Sequence, residues 1–341
     1  MTLLTFDDVL LEPQYSDIEH RSEIDISQEF LGKTYRLPII SANMNNVTEY
    51  DMAAAMTEAG AFYVVHRFLT EEKLFDIFDL YVMNQLVQND GRISLSVGIR
   101  EPSKEIHNVL RISKFGGGVM DKMIVTVDTA HGHHARVGDM VKALKDFGVP
   151  YVIAGNIATQ EGYQFLVDSG ADAVKVGIGP GSVCTTREVT GVGVPQFSAL
   201  FNLQWAEKPI IADGGIKTSG DIVKALAAGA DMVMLGSMLA GTTEAPSERR
   251  IDRDGIVWRR YVGQSIFGTN RDLYTVEGIE GWVEERGPVS NILDRLRGGI
   301  ISGLSYVGAR DLGQLRLKAK FIEVSNRTSV ENGTRVRKDI P

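Results

Sequence analysis

Short apolar runs rich in β-branched residues alternate along this chain with stretches of helical period, and no other feature limits the possible folds so strongly. The runs are Leu37 to Ser41, Ala61 to His66, Ile93 to Ile99, Lys122 to Asp128, Tyr151 to Asn156, Ala173 to Gly177, Pro209 to Asp213 and Met232 to Gly236. Between them lie amphipathic segments such as Glu49 to Ala59, Val137 to Phe147, Gln160 to Ser169 and Ser219 to Ala228, several preceded by Thr, Ser or Asp as caps. This pattern reads as repeated βα units around a parallel sheet, and eight units close a (β/α)8 TIM barrel of the α/β class. The alternative, an open doubly wound sheet, needs an early glycine fingerprint that is missing here. With 341 residues, 43% of them hydrophobic, the chain can bury a large core and suits one barrel domain over residues 1–320, followed by a polar tail over 325–341.

In such a barrel, functional side chains stand at the C-terminal ends of the strands. Polar residues fall at those places: Ser41-Ala-Asn-Met44, His66-Arg67, Asp128, Gly155-Asn156, Asp213-Gly214-Gly215 and Gly236-Ser237. Each alone has a structural reading, because Asn and Asp cap helices and glycines turn corners. Their joint occurrence at one rim points to a site. The turns at Gly214-Gly215 and Gly236-Ser237 let backbone amides approach an anion, at the usual phosphate position of this fold.

The loop after the sixth strand, residues 177–193, holds the only cysteine, Cys184. Gly177, Gly179 and Gly181 free its backbone, while Ser182, Thr185, Thr186 and Arg187 surround the thiol with donors and one fixed charge that favours thiolate. A lone cysteine is also among the most buried residue types, so spacing by itself leaves a nucleophile and a small buried hydrophobe both open.

The loop wording, Gly-Ile-Gly-Pro-Gly-Ser-Val-Cys-Thr-Thr-Arg187, closely resembles the cysteine loop of the inosine-monophosphate dehydrogenase and guanosine-monophosphate reductase superfamily, and the likeness runs from Leu4 to about Ala309. The resemblance implies a purine 5′-monophosphate substrate attacked at C2 by Cys184. It places Ser41, Met44, Asn156, Ser182, Asp213, Gly214, Gly215, Gly236, Ser237, Gly263, Gln264, Ser265 and Gly278 around the nucleotide, with Asp213 on the ribose hydroxyls. It sets a potassium ion against carbonyls of Gly179, Gly181 and Cys184. It assigns proton transfer to Thr186 and Glu277. The nicotinamide cofactor falls to Asp128, Thr129 and Ala130, with Ser302, Tyr306 and Gly308 reaching it from a neighbouring subunit of a homotetramer. NADPH requires a cation near its 2′-phosphate, for which Arg67 is the candidate.

Two branches of the family then part. The dehydrogenase oxidises inosine monophosphate with NAD and hydrolyses its intermediate with a mobile flap carrying an adjacent Arg-Tyr pair. Here the flap, residues 264–282, is short, and Arg271 and Tyr274 are not adjacent. Ser41-Ala-Asn-Met, Val65-His-Arg-Phe and Thr190-Gly191 also resemble the reductase, and no paired regulatory (CBS) domain follows the second strand. Leu4-Thr-Phe-Asp-Asp-Val-Leu-Leu, Asp128-Thr-Ala-His-Gly-His and Val276-Glu-Gly-Ile-Glu-Gly are closer to the dehydrogenase, and Gln264 departs from both. The balance favours an NADPH-dependent reductase that converts guanosine monophosphate to inosine monophosphate and ammonia. The alternatives are a dehydrogenase without the regulatory domain and a purine-nucleotide-binding regulator without turnover.

A net charge of -8 argues against a nucleic-acid surface. One cysteine excludes an internal disulfide framework, and no long uncharged stretch reads as a membrane span or leader, so the expected location is cytoplasmic.

Overall fold

A computed structural model describes residues 2–70, 73, 91–114, 119–263, 265–268 and 277–325. Three short strands, β1 (Val9–Leu11), β2 (Gln28–Phe30) and β3 (Lys33–Tyr35), precede the central sheet. The central strands are β4 (Ile39–Ser41), β5 (Phe62–Tyr63), β6 (Ile93–Val97), β7 (Met123–Asp128), β8 (Tyr151–Ile157), β9 (Ala173–Val176), β10 (Ile210–Asp213) and β11 (Met232–Leu235). They form one eight-stranded sheet in the order β5-β4-β11-β10-β9-β8-β7-β6. A parallel bridge between Val65 and Leu95 joins its two ends, so the sheet closes on itself as a TIM barrel.

Each expected strand is present within a few residues of its expected bounds. The second is the shortest, because beyond Tyr63 the chain leaves β4 and Val65 pairs across the closure instead. The strands are buried on both faces, which is why they read as continuous apolar runs rather than alternating ones. Two of the expected helices start at threonine caps, whereas the one expected from Val137 begins at Ala135 behind His134, and Tyr50–Glu58 follows Glu49 without a side-chain cap. Thr218 and Asp221 form a reciprocal capping box at the head of the Ser219–Ala227 helix, and the Thr159 hydroxyl accepts from the Gly162 amide at the head of Gln160–Asp168.

A three-stranded antiparallel sheet, β12 (Arg249–Ile251), β13 (Val257–Val262) and β14 (Glu280–Glu284), lies outside the barrel and was not anticipated. Glu280 to Trp282, expected to be flap, are strand because β14 pairs with β13 from Val262↔Glu280 to Trp258↔Glu284. A last strand, β15 (Phe321–Glu323), pairs antiparallel with β1, from Val9↔Glu323 to Leu11↔Phe321. Most of the expected tail, residues 326–341, lies outside the described residues. Among the described residues no helix is long and apolar enough to cross a membrane.

Candidate active site

The loop leaving β9 carries Cys184 across the open end of the barrel. Its Cys184 amide donates to the Gly181 carbonyl at 3.0 Å, closing a turn, and Cys184 pairs antiparallel with Gly278. The Ile279 amide donates to the Val183 carbonyl at 3.0 Å and the Thr185 amide to the Glu277 carbonyl at 3.4 Å. Backbone therefore stitches the cysteine loop to the segment that precedes β14. Gly263 and Gly278 permit that contact: a Cβ on Gly263 would lie 2.9 Å from the Val183 carbonyl oxygen and 3.2 Å from the Gly278 Cα.

This stitching brings together three side chains far apart in sequence. The half-buried Cys184 Sγ lies 3.2 Å from the Thr186 hydroxyl oxygen, and that hydroxyl donates to Glu277 Oε2 at 2.7 Å. Since the Thr186 proton goes to the carboxylate, its oxygen is left to accept from the thiol. The result is a directed path for a proton from sulfur to carboxylate.

Arg187 does something other than expected. Its guanidinium donates to the Ile178 carbonyl at 3.2 Å and the Val194 carbonyl at 2.6 Å, and its stem fills the space above Gly179 and Gly193. It braces the two ends of the loop, and its hydrogen bonds go to backbone rather than to Cys184. An Arg in a glycine-rich loop has bare carbonyls close at hand, which sequence spacing could not reveal.

Below the loop lies a buried polar cluster. Lys175, on β9 and 2% exposed, reaches Asp128 Oδ1 at 2.8 Å, Asp213 Oδ2 at 3.2 Å and Asn43 Oδ1 at 3.3 Å. Asn156 Nδ2 donates to Asp213 Oδ2 and to the Gly177 carbonyl, both at 2.8 Å. Burial opposes the charge on Lys175, but the two carboxylates outweigh it and raise its pKa. For Asp128 burial acts in the opposite sense, and the Lys175 ammonium with hydrogen bonds from Lys175 and Asn43 leaves its pKa lowered. Lys175 was missed as a site residue, although one lysine inside Ala-Val-Lys-Val was the signal for it.

Around this cluster stand the residues expected to hold a nucleotide. Ser41 is buried at the end of β4, Gly214 and Gly215 both turn through positive φ after β10, and Gly236-Ser237 opens a short helix after β11. Buried oxygen atoms of Ser41, Asn156, Gln196 and Ser265 have no protein partner. Such orphaned acceptors and hydroxyls at one barrel rim fit a polar ligand. Tyr261, on β13, is a second residue that sequence reading missed. Its hydroxyl lies 3.6 Å from Met44 Sδ and hydrogen-bonds Ser182, and burial, with the Asp213 charge nearby, pushes its pKa up to about 12. Gln264 falls outside the described residues, as do Arg271 and Tyr274.

On the other side of Lys175, the Thr129 hydroxyl donates to the Gly155 carbonyl at 2.8 Å and Ala130 is exposed. Arg67 turns inward, its Nε 3.9 Å from Asp128 Oδ2 and its guanidinium 4.6 Å from the Phe68 ring centre. Ser302, Tyr306 and Gly308 are not brought to this rim within one chain. They occupy the far half of the Val289–Val307 helix and its cap; Gly303 abuts Val223, and Gly308 lies against Tyr15. Among the described residues, no group of three or more His, Cys, Asp or Glu side chains is arranged to hold a metal ion.

Comparison with known proteins places the chain in a family. The family model described as IMP dehydrogenase / GMP reductase domain matches residues 3–335. The chain is 35% identical to GMP reductase from Pediococcus pentosaceus over 339 residues, covering 98% of this chain and 99% of that one. It is 37% identical to GMP reductase from Staphylococcus carnosus over 341 residues, 98% of this chain and all of the relative. Inosine-5′-monophosphate dehydrogenase from Aquifex aeolicus is 34% identical, covering 94% of this chain and 93% of the relative. That alignment spans 458 positions against a chain of 341 residues, so the dehydrogenase carries a sizeable insertion with no counterpart here. A barrel of these strands, a cysteine loop stitched to the segment before β14, and near full-length likeness to both branches mean that the chain belongs to the IMP dehydrogenase / GMP reductase family.

Proposed function

We propose that the protein is a GMP reductase, which converts guanosine 5′-monophosphate to inosine 5′-monophosphate and ammonia with hydride from NADPH. The observation that carries this reading is the Cys184–Thr186–Glu277 chain, with its 3.2 Å and 2.7 Å links. In the reaction inferred from it, the thiol proton passes through the Thr186 hydroxyl to Glu277 as sulfur bonds to C2 of the purine. The same carboxylic acid then returns the proton through Thr186 to the departing amino group, which leaves as ammonia. Expulsion of amide ion without that proton is far too costly near neutral pH. What remains is a thioimidate between Cys184 and C2.

Bound NADPH supplies the hydride that reaches C2 and lets the thiolate leave. Asp128, Thr129 and Ala130 are the residues proposed to hold it, and the buried Arg67 Nε without a hydrogen-bond partner fits a site still short of a ligand. Arg67 is already drawn towards Asp128, so we assign it to the rim rather than to the 2′-phosphate. Asp213, with Oδ2 occupied by Asn156 and Lys175, is proposed to take the ribose hydroxyls through Oδ1. The carbonyls of Gly179, Gly181 and Cys184 suit a potassium ion by donor type, with Gly181 already accepting the Cys184 amide. A homotetramer is proposed on the family resemblance, and Ser302, Tyr306 and Gly308, on the Val289–Val307 helix and its cap, are the residues proposed to meet a neighbouring subunit's cofactor.

The reductase is preferred because its relatives align end to end while the dehydrogenase relative carries extra chain. The test is nicotinamide absorbance with purified protein and potassium in two mixtures. Loss of signal with guanosine monophosphate and NADPH, with ammonia released, is the expected result. A rise only with inosine monophosphate and NAD would make the protein a dehydrogenase instead, and no change in either would point to a binding role.

A further inference from the structure

A lysine in the wall of a barrel is an unusual choice on stability grounds. Replacing a buried ion pair by apolar residues of similar volume is often neutral or stabilising, so the cluster around Lys175 asks for another explanation. Its surroundings are shaped for it. Across the sheet Asp128 lies opposite Gly155, and Gly155 lies opposite Lys175. A Cβ on Gly155 would stand 2.6 Å from the Lys175 Cβ, so the missing side chain on β8 is what lets the lysine cross over that strand to β7. From β9 the same ammonium also reaches the end of β10. It thus touches carboxylates on two strands that are not neighbours, one on the proposed cofactor side and one on the proposed ribose side.

We propose that Lys175 is a positioning residue that clamps Asp128 and Asp213 as two aligned anions at one rim, so that the cofactor half and the nucleotide half of the site can each present a carboxylate. This rests on the assignment of Asp213 to the ribose and Asp128 to the cofactor. The geometry carries it. Lys175 and Asn156 both engage Oδ2 of Asp213 and leave Oδ1 for a ligand hydroxyl. On Asp128, Lys175 takes Oδ1 while Arg67 approaches Oδ2. Without the lysine, two carboxylates are left close together, with Arg67 on the far side of Asp128 as a partial counter-charge. One of them then takes up a proton, and a protonated Asp213 is a poorer acceptor for ribose hydroxyls.

The test separates charge balance from packing by using Lys175→Met alone and together with Asp128→Asn, with guanosine monophosphate binding by calorimetry and thermal melting as readouts. Lys175→Met is expected to weaken binding by about ten- to a hundredfold. The double variant, which has one carboxylate and no competing charge, is expected to recover binding to within about threefold of Asp128→Asn alone and to melt higher than Lys175→Met. Folding of the double variant where the single one fails would support the same conclusion. Binding by Lys175→Met within about threefold of the parent would overturn it, as would a double variant no better than the single one or one that also fails to fold. If the parent protein itself binds neither guanosine nor inosine monophosphate, the purine assignment falls. The order of the melting temperatures then decides the role of Lys175 by itself.

Discussion

Glu277→Gln tests the proton path most directly. The substitution keeps size and shape, and the amide oxygen of glutamine can still accept the 2.7 Å hydrogen bond from Thr186. It cannot accept or return a proton. The contact between the Glu277 carbonyl and the Thr185 amide is made by backbone, so the loop stays anchored. Loss of positioned acid–base catalysis costs about 10²- to 10⁴-fold in rate. That is a barrier rise of about 2.7–5.4 kcal/mol at 1.36 kcal/mol per tenfold. The expected outcome is a fall of this size in kcat for guanosine monophosphate, read by NADPH consumption, with KM changed little because the carboxylate is two hydrogen bonds from sulfur. Thr186→Val should lose a similar amount, and the pair together little more than either alone, since each breaks the same chain. A Glu277→Gln enzyme with parental kcat would refute the relay, and additive losses would mean that Thr186 and Glu277 act separately.

Other outcomes follow from geometry described above. Tyr261→Phe removes a buried hydroxyl that touches Ser182 and Met44, and should cost about 1 kcal/mol of stability with a loss of nucleotide affinity; an unchanged melting temperature would mean the hydroxyl makes no net contribution. Gly177→Ala places a Cβ 2.0 Å from the Asp213 carbonyl oxygen at φ +150°, so it should destabilise by on the order of 1–3 kcal/mol and shift Asp213, read as a lower denaturant midpoint and weaker binding. The contributions of Asp128 and Lys175 to stability should be flat between about pH 5 and 9. Asp128 has its folded pKa lowered from 3.8, so its contribution is present above that value and lost as the pH falls through the folded one. Lys175 has its folded pKa raised from 10.5, so its contribution is present below that value and lost only as the pH rises through the folded one. In Lys175→Met a carboxylate that takes up a proton on folding makes stability fall as the pH rises towards neutral, so a stability difference from the parent that stayed constant across that range would contradict the charge-balance role.

The barrel was legible because its strands are buried on both faces and helices such as Gln160–Asp168 and Ser219–Ala227 open on threonine caps, so periodicity and punctuation coincide at those boundaries. The cysteine, Thr186 and Glu277 were legible through the wording of two short segments, but their distances were not, since a backbone bridge between Cys184 and Gly278 joins them across 94 positions of chain. The outer sheet of β12, β13 and β14 was missed because its strands, apart from Tyr261 and Val262, are exposed or half-buried and rich in arginine and glutamate, a pattern that resembles solvated loop. Lys175 and Tyr261 were passed over for the same reason in reverse. Each is one polar group in an otherwise ordinary strand, and only the folded register reveals what it faces. Arg187 was assigned to the thiol from proximity in sequence, whereas the loop's own carbonyls claimed it first.

The hydrogen bond from the Gly263 amide to the Ile279 carbonyl, at 3.0 Å, ties the two ends of the intervening segment to one another. Whatever is spliced between those ends begins and finishes at the same two anchors, beside the nucleophile. For a flexible insert, each doubling of length adds only about 0.6 kcal/mol of closure entropy. The barrel is therefore a socket with a replaceable fitting. A longer insert bearing a water-activating pair could be grafted there without moving the cysteine, and the catalytic repertoire of such a scaffold could diversify by exchange at one splice point rather than by remodelling the core.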